Sequence, residues 1–156
     1  MRHLVFVYGT LKRGFHNHPA LASGGADFVR CGVTLEPYPL VADEYFIPYL
    51  LDRPAEGLNV RGEVYRVDDE CFARLDRLEN YPAYYDRREL LIGGEGQGEQ
   101  EARCWVYVKK EASAEQLAME PMAEYALDAH KEKYVPRERR DASHVSKRTG
   151  PQLDDG

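Results

Sequence analysis

The chain begins with an apolar, β-branched run that stops at a glycine, Leu4-Val5-Phe6-Val7-Tyr8-Gly9. Such a run is typical of a strand that is buried on both faces and then enters a tight turn. A glycine at this point permits close approach to the backbone, so successive N–H groups in the segment 8–11 can converge on an anion. The stretch therefore predicts a central strand followed by an anion-binding turn.

Further strands and two helices are predicted around a central helix. Strand character recurs in four segments, 27–35, 59–67, 84–92 and 102–108. The last two are predicted to form a hairpin around the glycine-rich segment 93–98, and Gly62 marks a bulge or a close backbone approach. A short helix begins near Pro19, and a third helix is expected at about 114–129. Because strands and helices do not alternate regularly, an α+β fold is favoured, with a small mixed sheet curled toward a barrel and flanking helices.

The composition limits the size of the domain and the kinds of partner. A chain of 156 residues with 43% apolar and 31% charged residues fits one folded domain, which we place at residues 1–130. Residues 131–156 carry few large apolar side chains and are predicted to form a flexible tail. Acidic residues outnumber basic ones by 27 to 21, which disfavours nucleic acid and anionic membranes as partners. Apolar runs fall short of the roughly 20 residues of a membrane span, so we expect a cytoplasmic protein.

The cysteines and histidines do not indicate a disulfide or a metal site. Cys31, Cys71 and Cys104 form no CxxC pair, and we expect reduced thiols that are packed as small apolar groups. His16 and His18 have a spacing that suits a metal, but no nearby carboxylate or cysteine completes a set of ligands. Capping or packing is therefore the favoured role of both histidines.

The central predicted helix carries an acidic residue within its apolar face. The helix begins at a cap on Asp68 or Asp69 and ends before Pro82. Its apolar residues recur at helical spacing: Cys71, Phe72, Leu75 and Leu78. Glu79 follows at the same spacing and shares their face, whereas the other charged residues of the helix can face water or the rim.

Burial and the negative end of the helix dipole should both raise the pKa of the Glu79 carboxylate. A glutamate shifted toward neutrality can accept a proton and deliver it again, as a general base and acid must. Two alternatives stay open: Glu79 forms an ion pair with Arg87 or Arg88 beyond the turn, or it reaches solvent at the rim. The pattern thus makes Glu79 the candidate catalytic residue and leaves a structural role open.

Two stretches, Leu4–Gly14 and Leu75–Arg87, resemble the γ-glutamylcyclotransferase-like superfamily. Shorter matches are similar to the branch of the superfamily that acts on γ-glutamylamines, and they lie at 17–18, 34–41, 47–51 and 62–65. The resemblance covers roughly residues 3–108. It implies a small mixed barrel, a catalytic Glu79, and a substrate-binding turn formed by Tyr8, Gly9, Thr10 and Leu11.

The resemblance also implies a reaction. An L-γ-glutamylamine such as γ-glutamyl-ε-lysine, the remnant of degraded transglutaminase crosslinks, would be converted to 5-oxoproline and the free amine without a metal or an organic cofactor. The α-amino group of the substrate would attack its own γ-carbonyl, with Glu79 as general acid and base. Tyr85, just beyond Pro82, is expected to orient the carboxylate or the substrate, and a packing role is the alternative.

Two other functions stay open at this point. The first is a cyclotransferase for other γ-glutamyl compounds, such as γ-glutamyl amino acids. The second is a noncatalytic small-molecule-binding module that retains the anion-holding turn, although such a module has no evident need for a buried glutamate. In either case we expect a monomer whose partner is a small molecule.

Overall fold

The computed structural model describes residues 2–94 and 100–140. Its strands are β1 (Arg2–Val7), β2 (Ala26–Thr34), β3 (Leu40–Ala42), β4 (Pro48–Leu50), β5 (Arg61–Asp68), β6 (Asp86–Gly93) and β7 (Ala102–Val108). Its helices are α1 (Pro19–Ala22), α2 (Asp69–Leu78), α3 (Ala114–Leu117) and α4 (Leu127–Lys133), followed by a 3₁₀ turn at Arg137–Arg139. No helix in these two ranges is both long and apolar enough to cross a bilayer.

Within the described residues, the sheet closes into a barrel in the strand order β1-β5-β2-β6-β7, and β3 pairs with β4 separately. Neighbouring strands of the barrel are antiparallel except at the closure, where β1 runs parallel to β7 and pairs Val5 with Trp105. The α+β prediction of a small mixed barrel with flanking helices is confirmed. The predicted hairpin is confirmed as the β6–β7 pair, although residues 95–99 of its turn lie outside the described residues.

The first strand forms as its apolar run predicts, because Val5, Phe6 and Val7 are all buried. Gly62 of β5 allows the backbones of β5 and β1 to approach closely. A Cβ at this position would clash with the backbone oxygen of Val7 and lie 2.7 Å from the Phe6 ring. The alternative of a bulge at Gly62 is wrong, since the register shift of the sheet lies in β2, between Phe28 and Arg30.

The single helix predicted at about 114–129 is wrong. The first helix of this region, α3, ends at Leu117, and Pro121 then supplies no backbone donor for a continuing helix. The N–H of Met122 instead donates to the carbonyl of Leu40 in β3, at 2.8 Å. A separate helix, α4, begins only at Leu127. Pairing with the small β3–β4 sheet therefore replaces the middle of the predicted helix.

Residues 131–140, which the sequence assigned to the tail, continue the folded domain. Helix α4 runs to Lys133, and Tyr134 and Arg140 are buried. The N–H of Val135 donates to the carbonyl of Tyr45 at 3.0 Å, and the Arg140 guanidinium binds the Val135 carbonyl and the Tyr134 hydroxyl. The domain thus extends at least to Arg140. The rest of the predicted tail, 141–156, lies outside the described residues.

The three thiols occupy two environments. Cys71 and Cys104 are buried in the core, as the sequence predicts, and burial is the main reason that the pKa of each thiol is raised. Cys31 is exposed, so the prediction that it is packed is wrong. It lies on β2, in which several other residues are also exposed to solvent. No cluster of histidine, cysteine and carboxylate groups with metal-binding geometry occurs in 2–94 or 100–140.

Candidate active site

Helix α2 sets the position of Glu79 from both of its ends. At the beginning, the Asp68 carboxylate accepts a hydrogen bond from the N–H of Cys71 at 2.8 Å, which caps the helix as predicted. At the end, Asn80 adopts a left-handed φ of 53°. The N–H groups of Asn80 and Tyr81 then donate to the carbonyls of Arg77 and Asp76, which is the paired bonding of a Schellman motif. Glu79 is therefore held at the C-cap of the helix.

The apolar face of α2 packs against the barrel, and Glu79 is buried with it. The buried residues of this face are Cys71, Phe72, Leu75 and Leu78, as the helical spacing predicts. Glu79 is 0% exposed, so its carboxylate does not reach solvent at the rim. The ion-pair alternative is also wrong, because Arg87 binds Asp76 at 2.8 Å and Arg88 binds Asp52 at 2.7 Å.

Tyr107 of β7 connects the buried glutamate with the end of the first strand. The hydroxyl of Tyr8 donates a hydrogen bond to the backbone oxygen of Tyr107 at 2.9 Å. Burial, the hydrogen bond to Asp76, and the negative charges of Asp76 and Glu79 together raise the pKa of the Tyr107 phenol far above its usual range. Tyr107 therefore binds Tyr8 through its backbone oxygen, while its phenol is subject to the charges of Asp76 and Glu79.

The turn after β1 is buried and is held in place through its carbonyl groups. Tyr8, Thr10 and Leu11 are at most 1% exposed. The carbonyl and the hydroxyl of Thr10 both accept hydrogen bonds from Asn17, each at 2.8 Å, and the carbonyl of Leu11 lies 2.9 Å from the His18 ring. Within the described part of the chain, none of the turn's hydrogen bonds uses the N–H of Gly9 or Leu11 as donor. Both residues are buried.

A buried lysine anchors the segment that follows the turn. The ammonium group of Lys12 donates to the carbonyl of Tyr125 at 2.7 Å and lies 4.6 Å from the centre of the Phe15 ring. Burial lowers the pKa of Lys12, and this effect exceeds the opposing charges of Glu124 and Glu63. The turn is thereby attached to the segment before α4.

Tyr85 lies within the core, just beyond the turn that follows α2. It is 0% exposed, its hydroxyl donates to the carbonyl of Pro48 at 3.3 Å, and its ring meets that of Tyr84 edge to face at 5.1 Å. These contacts fix the side chain between the turn after α2 and β4. Its predicted role toward the substrate stays a prediction.

The histidines serve the packing roles that the sequence favours. The Nε2 atom of His130 accepts a hydrogen bond from the N–H of His16 at 3.2 Å, and His18 contacts the Leu11 carbonyl. His16 also packs its ring against that of Tyr134. Both histidines thus attach the segment after the turn to neighbouring backbone and aromatic groups.

Comparison with known proteins identifies the family. The family model described as "Gamma-glutamyl cyclotransferase, AIG2-like" matches residues 5–127. The chain belongs to this family. A human protein named gamma-glutamylaminecyclotransferase is 42% identical over 151 residues, which cover 88% of this chain and 99% of that protein. The cow protein of the same name is 43% identical over 142 residues, covering 87% and 83%. The resemblance stated from the sequence is confirmed.

Solved structures of the gamma-glutamyl cyclotransferase, AIG2-like family share this architecture. The crystal structure of an AIG2-like protein from Mus musculus superposes with a TM-score of 0.81 at 37% identity, covering 89% of this chain and 99% of that one. A structure titled "Gamma-glutamyl cyclotransferase" superposes with a TM-score of 0.56 at 17% identity, covering 72% and 69%, and shows the fold alone.

Three residues of the site were missed by the sequence prediction: Asp76, Arg87 as its partner, and Tyr107. A signal for the first exists, since Asp76 precedes Glu79 by three residues and so lies beside it on the helix surface. The other two become neighbours only through the sheet, in which Arg87 of β6 and Tyr107 of β7 are directly opposite each other. Residues opposite each other in an antiparallel pair point to the same face.

Proposed function

We propose that this protein is a cyclotransferase that converts L-γ-glutamylamines, such as γ-glutamyl-ε-lysine from degraded transglutaminase crosslinks, to 5-oxoproline and the free amine. The relatives named gamma-glutamylaminecyclotransferase, at about 40% identity over most of the chain, support this substrate class. The observation that carries the proposal is the full burial of Glu79 at the C-terminal end of α2. Burial of an ionised carboxylate costs several kcal/mol unless it is paired or hydrogen-bonded, so a glutamate at this position is unfavourable as a mere packing residue.

Ring closure requires little more than positioning and proton transfer. The α-nitrogen of the substrate attacks its γ-carbonyl carbon, a C–N bond forms, and the bond to the departing amine breaks. Because nucleophile and electrophile belong to one molecule, holding the glutamyl group in a curled conformation supplies much of the rate enhancement. The buried turn and the core around Glu79 are suited to hold such a conformation.

Glu79 would transfer the proton in both halves of this reaction. It removes a proton from the α-ammonium group so that the nitrogen carries a lone pair for attack, and it then protonates the departing amine. The ring nitrogen loses a second proton as the lactam forms, and the departing amine takes up that proton to leave as an ammonium ion, so both protons lost by the α-ammonium group end on the departing amine. No net proton is exchanged with solvent during the cycle.

The backbone donors of the turn would bind the charge that develops on the substrate. When nitrogen attacks the γ-carbonyl, its oxygen becomes negative, and preorganised N–H groups stabilise such an oxyanion. The N–H groups of Gly9 and Leu11 are placed in a buried turn that is already held by Asn17 and His18. The same two donors can instead bind the α-carboxylate of the glutamyl group.

The burial of Glu79 has a further effect on the reaction. At 0% exposure, the glutamate has no contact with bulk water, so a substrate reaches it only when surrounding side chains shift. Exclusion of water favours attack by the internal α-amino group over hydrolysis of the γ-amide. This arrangement suits formation of 5-oxoproline rather than of free glutamate.

The direct test is 5-oxoproline release by purified wild type and Glu79→Gln, with γ-glutamyl-ε-lysine and γ-glutamylalanine as substrates. We expect wild type to prefer the lysine compound and Glu79→Gln to lose at least 100-fold of the rate, as is common for a general base. Glu70→Gln, an exposed position on the same helix, is the matched control and should retain the wild-type rate.

The same experiment separates the other functions. Preference for γ-glutamylalanine would assign the enzyme to other γ-glutamyl compounds, and binding of 5-oxoproline without turnover would indicate a noncatalytic module. Full activity of a folded Glu79→Gln would contradict the proposed mechanism. A monomeric state and a cytoplasmic location stay predictions from the sequence.

A further inference from the structure

An ion pair and a phenol form one partly buried cluster, in which Asp76 is close to Glu79 in the sequence and on the helix. The Nη1 atom of Arg87 lies 2.8 Å from each oxygen of the Asp76 carboxylate. The hydroxyl of Tyr107 donates a hydrogen bond to Oδ1 of the same carboxylate at 2.7 Å. Asp76 thus accepts from two residues of neighbouring strands, and these two residues are opposite each other in the β6–β7 register.

Aromatic rings hold the guanidinium group of Arg87 in its place. Its carbon lies 4.3 Å from the ring centre of Phe72, 4.4 Å from that of Tyr81 and 5.2 Å from that of Trp105. Only about a fifth of the Arg87 and a quarter of the Asp76 side chain are exposed, at 21% and 24%. A pair enclosed in this way is screened less by solvent than an exposed one.

The cluster adjoins Glu79 along the helix and across the sheet. Asp76 precedes Glu79 by three residues, and side chains at this spacing are neighbours on a helix surface, about 5–6 Å apart at Cβ. The hydroxyl of Tyr107 donates a hydrogen bond to Asp76, and its backbone oxygen accepts one from the Tyr8 hydroxyl. The negative charge of Glu79 also contributes to the raised pKa of the Tyr107 phenol. The phenol is therefore in contact with Asp76 and within range of the charge of Glu79.

We propose that the Asp76–Arg87 ion pair and Tyr107 act as a positioning unit that holds Glu79 and the Tyr8 turn in register and balances the charge beside the glutamate. The inference rests on the proposed role of Glu79 as general base. Asp76 alone would make Glu79 harder to ionise, because like charges favour protonation, and Arg87 offsets that effect. Since the Tyr107 proton is donated to Asp76, the phenol positions Glu79 and does not supply a proton to the substrate.

Few other ionisable groups face this cluster. On the outer side, His3 of β1 and Asp69 of α2 lie 2.6 Å apart at the rim of the cleft that Asp76, Arg87 and Trp105 also line. The phenol ring of Tyr81 packs against the Arg87 guanidinium, and the phenols of Tyr8 and Tyr85 are buried in the core. In the described parts of the chain, Arg88 points away from the cluster and binds Asp52, because alternate residues of a strand face opposite sides.

The test exploits the opposite signs of the two charges. In Asp76→Asn the amide oxygen still accepts from Tyr107, but a negative charge is lost, so the acidic limb of the kcat/KM profile should move to lower pH. In Arg87→Gln a positive charge is lost, so the limb should move to higher pH. Each shift should be about one pH unit, and the double variant should return toward wild type. Mere structural damage would lower activity in both variants without opposite shifts.

Matched controls come from the neighbouring ion pair. Asp52→Asn and Arg88→Gln make the same charge changes on the pair that faces away, and both should keep the wild-type profile. If they shift the profile as far as Asp76→Asn and Arg87→Gln do, the effect is one of net charge and the inference is wrong. Absence of opposite shifts in folded Asp76→Asn and Arg87→Gln overturns it as well.

A second measurement is independent of turnover. The titration of the Glu79 carboxyl can be followed by NMR in protein labelled with ¹³C at glutamate, with the resonance assigned by its loss in Glu79→Gln. The titration midpoints should shift in the same opposite directions. If wild type releases no 5-oxoproline, the proposed function fails, yet this titration still decides whether the pair controls Glu79. If either single variant does not fold, the other variant and Tyr107→Phe are compared with wild type, and an unchanged Glu79 midpoint in both overturns the inference.

Discussion

The hydroxyl of Tyr8 donates to the backbone oxygen of Tyr107, 2.9 Å away, and so joins the end of the first barrel strand to the last one. This bond lies in the core, where an unpaired carbonyl costs about 1–3 kcal/mol.

Replacement of Tyr8 by phenylalanine should therefore weaken both stability and activity. We expect Tyr8→Phe to lose about 1–2 kcal/mol of the free energy of unfolding in urea. Release of 5-oxoproline should fall about 10-fold, because the turn is no longer tied to Tyr107. Tyr38→Phe is the control, since the bonds of this equally buried tyrosine to Leu58 run through its backbone. Equal effects of the two substitutions would contradict the role of the Tyr8 hydroxyl.

Asn80 should be replaceable by glycine more readily than by a β-branched residue. Its φ of 53° lies in the left-handed region, which valine adopts only at a cost of about 1–3 kcal/mol. Glycine adopts the same conformation without strain. Urea unfolding should rank wild type and Asn80→Gly above Asn80→Val, and activity should fall with Asn80→Val because Glu79 precedes this residue directly. A valine variant as stable as the glycine variant would show that the left-handed turn is not required.

Two glycines that face each other across β2 and β5 should differ in their tolerance of a methyl group. At Gly62 a Cβ collides with the Val7 backbone oxygen, which cannot move without disturbing β1. At Gly32 the nearest atom is a side-chain methyl of Ile92, at 2.7 Å, and the nearest backbone atom is the Gly93 oxygen, at 3.1 Å. We expect Gly62→Ala to cost about 3 kcal/mol or more and Gly32→Ala about 1 kcal/mol, as measured by thermal and urea unfolding. The reverse order would contradict this account.

The thiols should react in the order of their exposure. At about pH 8, iodoacetamide should modify native protein at Cys31, whereas Cys71 and Cys104 should react only after unfolding, because the thiolate is the reactive form. Mass spectrometry of the peptides locates the modification. Rapid labelling of Cys104 in native protein would contradict its burial.

We also expect the burial of Cys104 to lower the free energy of unfolding at alkaline pH. Burial raises the pKa of this thiol from 9.0 to about 11, so between these values the unfolded chain releases a proton that the folded state keeps. Stability then falls with rising pH across this range. The fall in free energy of unfolding should be less steep in Cys104→Val than in wild type, as measured by urea unfolding at a series of pH values. Parallel curves would contradict the shift.

The position of Glu79 could be predicted from the sequence because its determinants are local. The helical spacing of Phe72 and Leu75, the Asp68 cap and Pro82 all lie within fifteen residues of one another, and the structure uses each as expected. The broken third helix was not predictable in this way, because Met122 pairs with Leu40, some eighty residues earlier in the chain. Partners at that separation are set by the tertiary fold rather than by local propensity.

The partners of the charged residues near Glu79 are also set by residues that are distant in the sequence. Arg87 and Arg88 are equivalent in the sequence as partners for a carboxylate. The register of β6 pairs Arg87 with Asp76 and Arg88 with Asp52. A shift by one residue would move each arginine to the opposite face of the sheet. Tyr107 has no distinguishing pattern within its strand, and only closure of the barrel brings it beside Tyr8.

Because the barrel closes between β1 and β7, it cannot be completed during synthesis until β7 has been made. During synthesis, β1 receives one neighbour when β5 is made and its second only when Trp105 has emerged. A nascent chain or a proteolytic fragment that ends before β7 therefore presents an unpaired strand edge, which invites association with other chains. The same fragment also lacks Tyr107, so premature termination anywhere before this strand removes the finished barrel and the neighbour of Glu79 together.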